Sequence, residues 1–296
     1  MIRGDTERLL REIRELEFRS RKNVTGFLPG NYATTYTGSG LSFREARKYL
    51  AGDPVRHIDW NMTARLGEPF VRTFHEERER EIFLAIDVSP SMYTGYQTRN
   101  KIETAIEVAA TLALSAVKQR DRLGYLLFSD SVHRIHPPRP GKAQLHRLLS
   151  DLVQYSTVTE PSGSTDPRVA IHAIEALRGR RFVIFLISDF IDHDVPDDLR
   201  FVRRRHDVSL LHIYDPIEFG DTMKADPDLL LPVFAPESGR RAMMKPSLMK
   251  EHTLAATRSV LEQAATKYRI LVHSISTSDA VGPALGAFLH RKRSLV

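Results

Sequence analysis

The chain contains no cysteine. Disulfide frameworks, thiolate zinc sites, iron–sulfur clusters and thiol nucleophiles are thereby excluded together, and the composition fits a reducing compartment. Long apolar runs are also missing. The strongest, Phe182 to Ile187, falls far short of the roughly 20 residues that a bilayer-spanning helix needs. The opening MIRGDTERLLREIRELE is charged throughout and lacks the apolar centre of a signal peptide, so a cytoplasmic protein without a membrane span is expected. Catalytic signatures are absent too. HEERE at His75 lacks the second histidine of a zinc-protease helix, Gly141–Lys142 has no upstream glycine at P-loop spacing, and neither GxGxxG nor GxSxG occurs. Twelve histidines are scattered without ligand spacing.

The charge of one sign is only modestly in excess: 43 Lys and Arg against 37 Asp and Glu give +6. Bases alternate with acids in RLLREIRELEFRSRK and FHEERERE, the texture of a solvated face rather than of a nucleic-acid groove. No nucleic-acid partner is expected. The compact basic run His290, Arg291, Lys292, Arg293 reads as a solvated helix end.

What is present is an ordinary globular balance, 42% apolar and 27% charged over 296 residues, enough for a sizeable core. The length suits one main domain with an appended smaller region. Leu9, Ile13 and Leu16 form a stripe that predicts an amphipathic helix over residues 5–20, within an amino-terminal segment 1–24. Residues 25–80 turn to Gly, Tyr, Thr and scattered Arg and Asp, predicting turns and short strands. From residue 81 to 296 apolar runs alternate with amphipathic helices. The strands are IFLAID ending at Asp87, LGYLLFS (123–129), RFVIFLIS (181–188), VSLLHIY (208–214) and ILVHSIS (270–276). Helices are expected after Asp87, around Leu145 to Leu152, over Val169 to Leu177, over Leu254 to Tyr268 and beyond Pro283. This is the pattern of an open, mostly parallel α/β sheet with helices on both faces.

In such sheets ligands bind beyond the carboxyl ends of the strands. Two strands end there in aspartate: IFLAID runs into Asp87-Val88-Ser89-Pro90-Ser91, and VIFLIS runs into Asp189. Between them the loop Gly163-Ser164-Thr165-Asp166 opens a helix. Asp87, Ser89, Ser91, Thr165 and Asp189 offer oxygen donors only, which suits a hard cation such as Mg²⁺, with Mn²⁺ or Ca²⁺ as alternatives. Asp192 and Asp194 read as solvated loop carboxylates.

DVSPS, Thr165 and Asp189 together resemble the metal-ion-dependent adhesion site of von Willebrand factor A-type domains, with its DxSxS, a threonine loop and a late aspartate. Upstream, GSGLSFREARKYLAGDPVRHIDWNMTAR (Gly38 to Arg65) resembles the defining segment of the bacterial domain-of-unknown-function family fifty-eight, whose members set it directly before a von Willebrand A-type domain. The resemblance spans roughly residues 25 to 275. It implies a Rossmann-like fold and an Mg²⁺ site at the five residues. It also implies a non-enzymatic adaptor that partners a MoxR-type AAA+ ATPase, or its client, in chaperone-like or assembly work. Members often carry amino-terminal membrane helices, and this chain resembles the short soluble form.

Coordination then suggests a mechanism. Mg²⁺ takes six oxygens, of which the protein would supply three directly and water the rest, leaving a position for an acidic residue of a partner. A Mg²⁺-dependent, phosphatase-like hydrolase and a basic nucleic-acid module are the other readings. Against the hydrolase, no Lys or His is expected beside the cluster for proton transfer. Within Arg47 to Arg65 the alternation of Arg47, Asp53, Arg56, Asp59 and Arg65 reads as ion pairs that fix an irregular segment to the main domain, and Trp60 as a packing anchor.

Overall fold

The computed structural model describes the chain apart from residues 1, 28–40, 51–52, 54, 56–57, 77–78, 95–98, 157–163, 180, 192–194, 217–230, 236–239, 245–253 and 295–296. The protein divides into two units, Thr34–Glu79 and a larger one made of Met1–Ala33 with Arg80–Val296. The larger unit begins with helix α1 (Ile2–Phe27).

The smaller unit is a hairpin with one short helix. Strand β1 (Leu41–Lys48), helix α2 (Trp60–Leu66) and strand β2 (Phe70–Glu76) follow in order, and β1 runs antiparallel to β2 with a register shift between Phe43 and Glu45. Asp59 caps α2 by accepting from the N–H groups of Asn61 and Met62 at 3.1 Å, and Gly67, at φ 73°, closes the helix. Arg47 forks onto both oxygens of Asp53 at 2.7 and 2.8 Å. An ion pair is therefore present at Arg47–Asp53, and Asp59 acts as a helix cap. Arg56 lies outside the described residues. Among the described residues Trp60 does not act as a packing anchor: it is 66% exposed, and α2 has no buried residue.

In the larger unit α1 is longer than the 5–20 expected. Leu16 and Val24 are buried, Ile13 packs beside them, and Asn23 donates to Glu107 at 2.9 Å. An isolated amphipathic helix of this kind is marginal in water. Docking on the sheet domain gives its apolar stripe a core.

The sheet contains β3 (Glu81–Asp87), β4 (Arg122–Phe128), β5 (Val132–Arg139), β6 (Phe182–Ser188), β7 (Asp207–Tyr214) and β10 (Leu271–Ser276), in the order β10-β7-β6-β3-β4-β5. All neighbours are parallel except β5, which returns antiparallel along β4. A separate hairpin, β8 (Leu231–Ala235) with β9 (Arg240–Met244), lies between β7 and β10 in the chain. The helices are α3 (Lys101–Lys118), α4 (Lys142–Ser156), α5 (Pro167–Ala176), α6 (Leu199–Arg205), α7 (Leu254–Tyr268) and α8 (Val281–Ser294).

Period-two alternation sends each strand's side chains into two cores. Ile82, Leu84 and Ile86 of β3, with Val183, Phe185 and Ile187 of β6, join α1, α3, α4 and α8 on one face. Phe83 and Ala85, with Phe182, Ile184 and Leu186, meet α5, α6 and α7 on the other. Burial on both faces explains why these strands are continuously apolar. The α/β class with helices on both faces is the one the sequence implied, and the order of strand addition reverses between β3 and β6, the topological switch point where such sheets hold ligands.

The carboxyl-terminal basic run departs from its reading as a solvated helix end. His290 and Arg291 are exposed, but Lys292 is buried, donating to Asp207 at 3.0 Å and Ser209 at 2.8 Å and lying 5.7 Å from the centre of the Phe185 ring. The long apolar stem lets the ammonium reach Asp207, the first residue of β7.

Candidate functional site at the switch point

Asp87 ends β3 fully buried. Its Oδ1 accepts from the Ser89 N–H at 2.9 Å and its Oδ2 from the Ser188 hydroxyl at 2.5 Å, so the carboxylate is held from its own loop and from the neighbouring strand. The chain then enters a 3₁₀ turn, Pro90–Tyr93, whose fixed proline φ suits the first position after Ser89. Met92 fastens the turn into the core. The turn brings the buried Ser89 and Ser91 hydroxyls to 3.1 Å from each other. Thr165 is buried on the loop entering α5, where Asp166 caps the helix through the Arg168 N–H and its own N–H binds the Ser129 carbonyl at the end of β4.

Asp189 follows β6 and is 2% exposed. Its Oδ1 accepts from the Ile191 N–H at 3.2 Å. The next residue, Phe190, takes φ 49°, a left-handed conformation uncommon for an aromatic residue. Burial of its ring and a bond from its N–H to the Ser188 hydroxyl at 3.1 Å hold it there.

One expectation is overturned. Lys101, at the start of α3, donates to Asp189 Oδ2 at 2.8 Å, and the charges of both residues act on His212 of β7. A lysine and a histidine thus do stand beside the cluster. The spacing could not show this, since Lys101 opens its helix as an ordinary solvated lysine would, and only the fold turns it inward. Ser188, also missed, left a trace in the Ser-Asp pair that ends the apolar run of β6.

The electrostatics reflect an excess of buried negative charge. Burial, and then the Asp189 charge, push the Asp87 carboxyl up to about 7, against the opposing bonds from Ser188 and Ser89. Burial drives His212 down to about 4, so it is neutral at physiological pH.

The residues fit a hard divalent cation. Octahedral Mg²⁺ with bonds near 2.1 Å puts adjacent oxygens about 3.0 Å apart, and the two serine hydroxyls stand at 3.1 Å. Among the described residues no group of three or more His, Cys, Asp or Glu gathers into a cage, so an ion here would rest on one carboxylate, hydroxyls and water. Gly163, Asp192 and Asp194 lie outside the described residues.

Among the described residues no helix is long and apolar enough to cross a membrane. A family model described as "Protein of unknown function DUF58" matches residues 45–223. Uncharacterized proteins of Mycobacterium bovis and Mycobacterium tuberculosis are each 31% identical over 220 residues, covering 73% of this chain and 69% of the relative. Of solved structures, the conserved hypothetical protein BatB from Bacteroides thetaiotaomicron aligns with a TM-score of 0.48 and 14% identity, over 73% of this chain and 99% of that one. An aerotolerance-related membrane protein from Bacteroides fragilis gives 0.47 and 13%, over 73% and 100%. The VWA domain of SpRpn10 gives 0.41 and 11%, over 70% and 94%.

Proposed function

The chain belongs to the DUF58 family, and from that premise we propose that it is a cytoplasmic protein-binding adaptor that works through a divalent cation held by Asp87, Ser89, Ser91 and Thr165, with Asp189 behind them. The observation that carries this reading is the pair of buried hydroxyls 3.1 Å apart beside a buried carboxylate at the switch point. That donor set leaves a bound Mg²⁺, or Mn²⁺ or Ca²⁺, short of ligands, and a Glu or Asp of a protein partner completes the shell. A MoxR-type AAA+ ATPase or its client is the partner this reading favours.

The site has one acid held by a lysine and a histidine kept neutral by burial, which supports capture rather than turnover. Binding to the folded state alone must raise the melting temperature with saturation. Mg²⁺ or Mn²⁺ at millimolar concentration should raise it, and Asp87→Ala should abolish the rise. The accompanying experiment is a pull-down against the AAA+ ATPase encoded nearest the gene, with Mg²⁺ and with chelator, beside a phosphatase screen. Retention that survives chelation would remove the metal from the mechanism. Metal-dependent phosphate release would replace the adaptor with a hydrolase.

A further inference from the structure

Lys101 is in an unfavourable place by every local rule. It occupies the first position of α3, directly after the Asn100 cap, where the positive end of the helix dipole disfavours a cation. Lysines normally extend their ammonium to water, yet this one is 0% exposed. The fold compensates with a 2.8 Å bond to the buried Asp189. A buried charge so placed persists where the surroundings require it.

We propose, building on the cation site above, that Lys101 is a built-in counter-cation. It holds Asp189 out of direct metal ligation, keeps the ion-free site intact and thereby weakens the site's affinity for divalent ions. Asp189 accepts from the Ile191 N–H on one oxygen and from the Lys101 ammonium on the other; Asp87 also accepts on both oxygens, but only from neutral donors, so of the two carboxylates Asp189 is the one whose charge is already matched by a buried cation. Asp87, Ser89, Ser91 and Thr165 keep the ion. The charges agree with this division. Once a bound ion holds both carboxylates ionised, Asp87 and Asp189 contribute −2, Lys101 +1 and the ion +2, so the loaded site is +1. Without the lysine the loaded site would be neutral. Full burial makes that difference large, since the site is poorly screened.

The test is calorimetric titration of the full chain with Mn²⁺ and with Mg²⁺, for wild type and Lys101→Met, together with melting curves in metal and in chelator. Lys101→Met nearly keeps the volume and removes the charge. It should bind Mn²⁺ at least about tenfold more tightly than wild type, and its melting temperature should become strongly metal-dependent. A lysine with a merely structural role would on removal leave affinity unchanged or lower it. Equal or weaker binding by the variant, with wild type binding normally, overturns the counter-cation and leaves the metal site standing. Absence of binding by both proteins overturns the metal site itself. If Lys101→Met does not fold, Lys101→Met/Asp189→Asn replaces the pair with neutral groups. Affinity within about threefold of wild type supports the proposal, and loss of more than about tenfold shows that Asp189 is a direct ligand and overturns it.

Discussion

The Ser188 hydroxyl donates to Asp87 Oδ2 at 2.5 Å, joining the last residues of two adjacent parallel strands, β6 and β3, across the switch point. The bond opposes the burial that pushes the Asp87 carboxyl upward, and the same hydroxyl accepts from the Phe190 N–H. Ser188→Ala strands both groups. It should cost about 1–3 kcal/mol, read as a lower urea midpoint with an unchanged slope. A loss below about 0.5 kcal/mol would show that Asp87 finds another donor.

Gly124 is the point where β4 allows β5 to close against the sheet. A Cβ built there would meet Phe83 Cδ2 at 2.7 Å and the Pro138 backbone nitrogen at 2.8 Å. The phenyl ring can turn, but the backbone of β5 cannot retreat without loosening the edge. Gly124→Ala should therefore destabilise the protein by about 1–3 kcal/mol, with protection from hydrogen exchange falling first along Val132–Arg139. Wild-type stability in this variant would mean that the edge strand is free to move.

The contrast between β6 and β5 shows what was legible in the sequence. Phe182–Ser188 is apolar throughout because both of its faces are covered, and such a run announces a central strand. VHRIHPPR, the β5 segment, alternates between partly covered and exposed positions and carries two prolines, which an edge strand tolerates; its pairing comes from β4 and not from its own composition. The short α6 and the β8–β9 hairpin were hidden for a similar reason, being too brief for a period to show. At the site, Asp87, Ser89 and Ser91 share one loop, so a local motif revealed them. Lys101 and Ser188 reach the same place from other elements, and that convergence exists only after folding.

The buried Lys292 pairs with Asp207, which is partly exposed at the start of β7, far from the strand ends that carry the candidate site. Burial pulls the Lys292 ammonium below its ordinary range and the Asp207 carboxylate draws it back. Removing one partner of such a pair leaves the other unpaired. Lys292→Ala should cost roughly 1–3 kcal/mol, while the metal response proposed for the Asp87 site should be the same as in the unmutated protein. A parallel loss of metal affinity would reveal coupling through β7 and β6.

His206 gives an acid-sensitive contribution with a defined sign. Its ring stacks on Phe182 at 4.7 Å between centroids, and Nδ1 accepts from the Phe182 N–H at 3.1 Å. Burial lowers it from 6.5 to about 4, so between these values the unfolded chain binds a proton that the folded protein refuses. Stability from this group is complete above pH 6.5 and is lost as pH falls toward 4. His206→Asn keeps an acceptor near the Phe182 N–H and removes the titration. Between about pH 7.5 and about pH 4.5, wild type should lose roughly 1–3 kcal/mol more than the variant, measured by urea unfolding. Asp87, shifted in the opposite sense, and His212 titrate in both proteins and cancel in the comparison. Parallel stability curves for the two proteins would show that the buried ring accepts its proton without opening the fold.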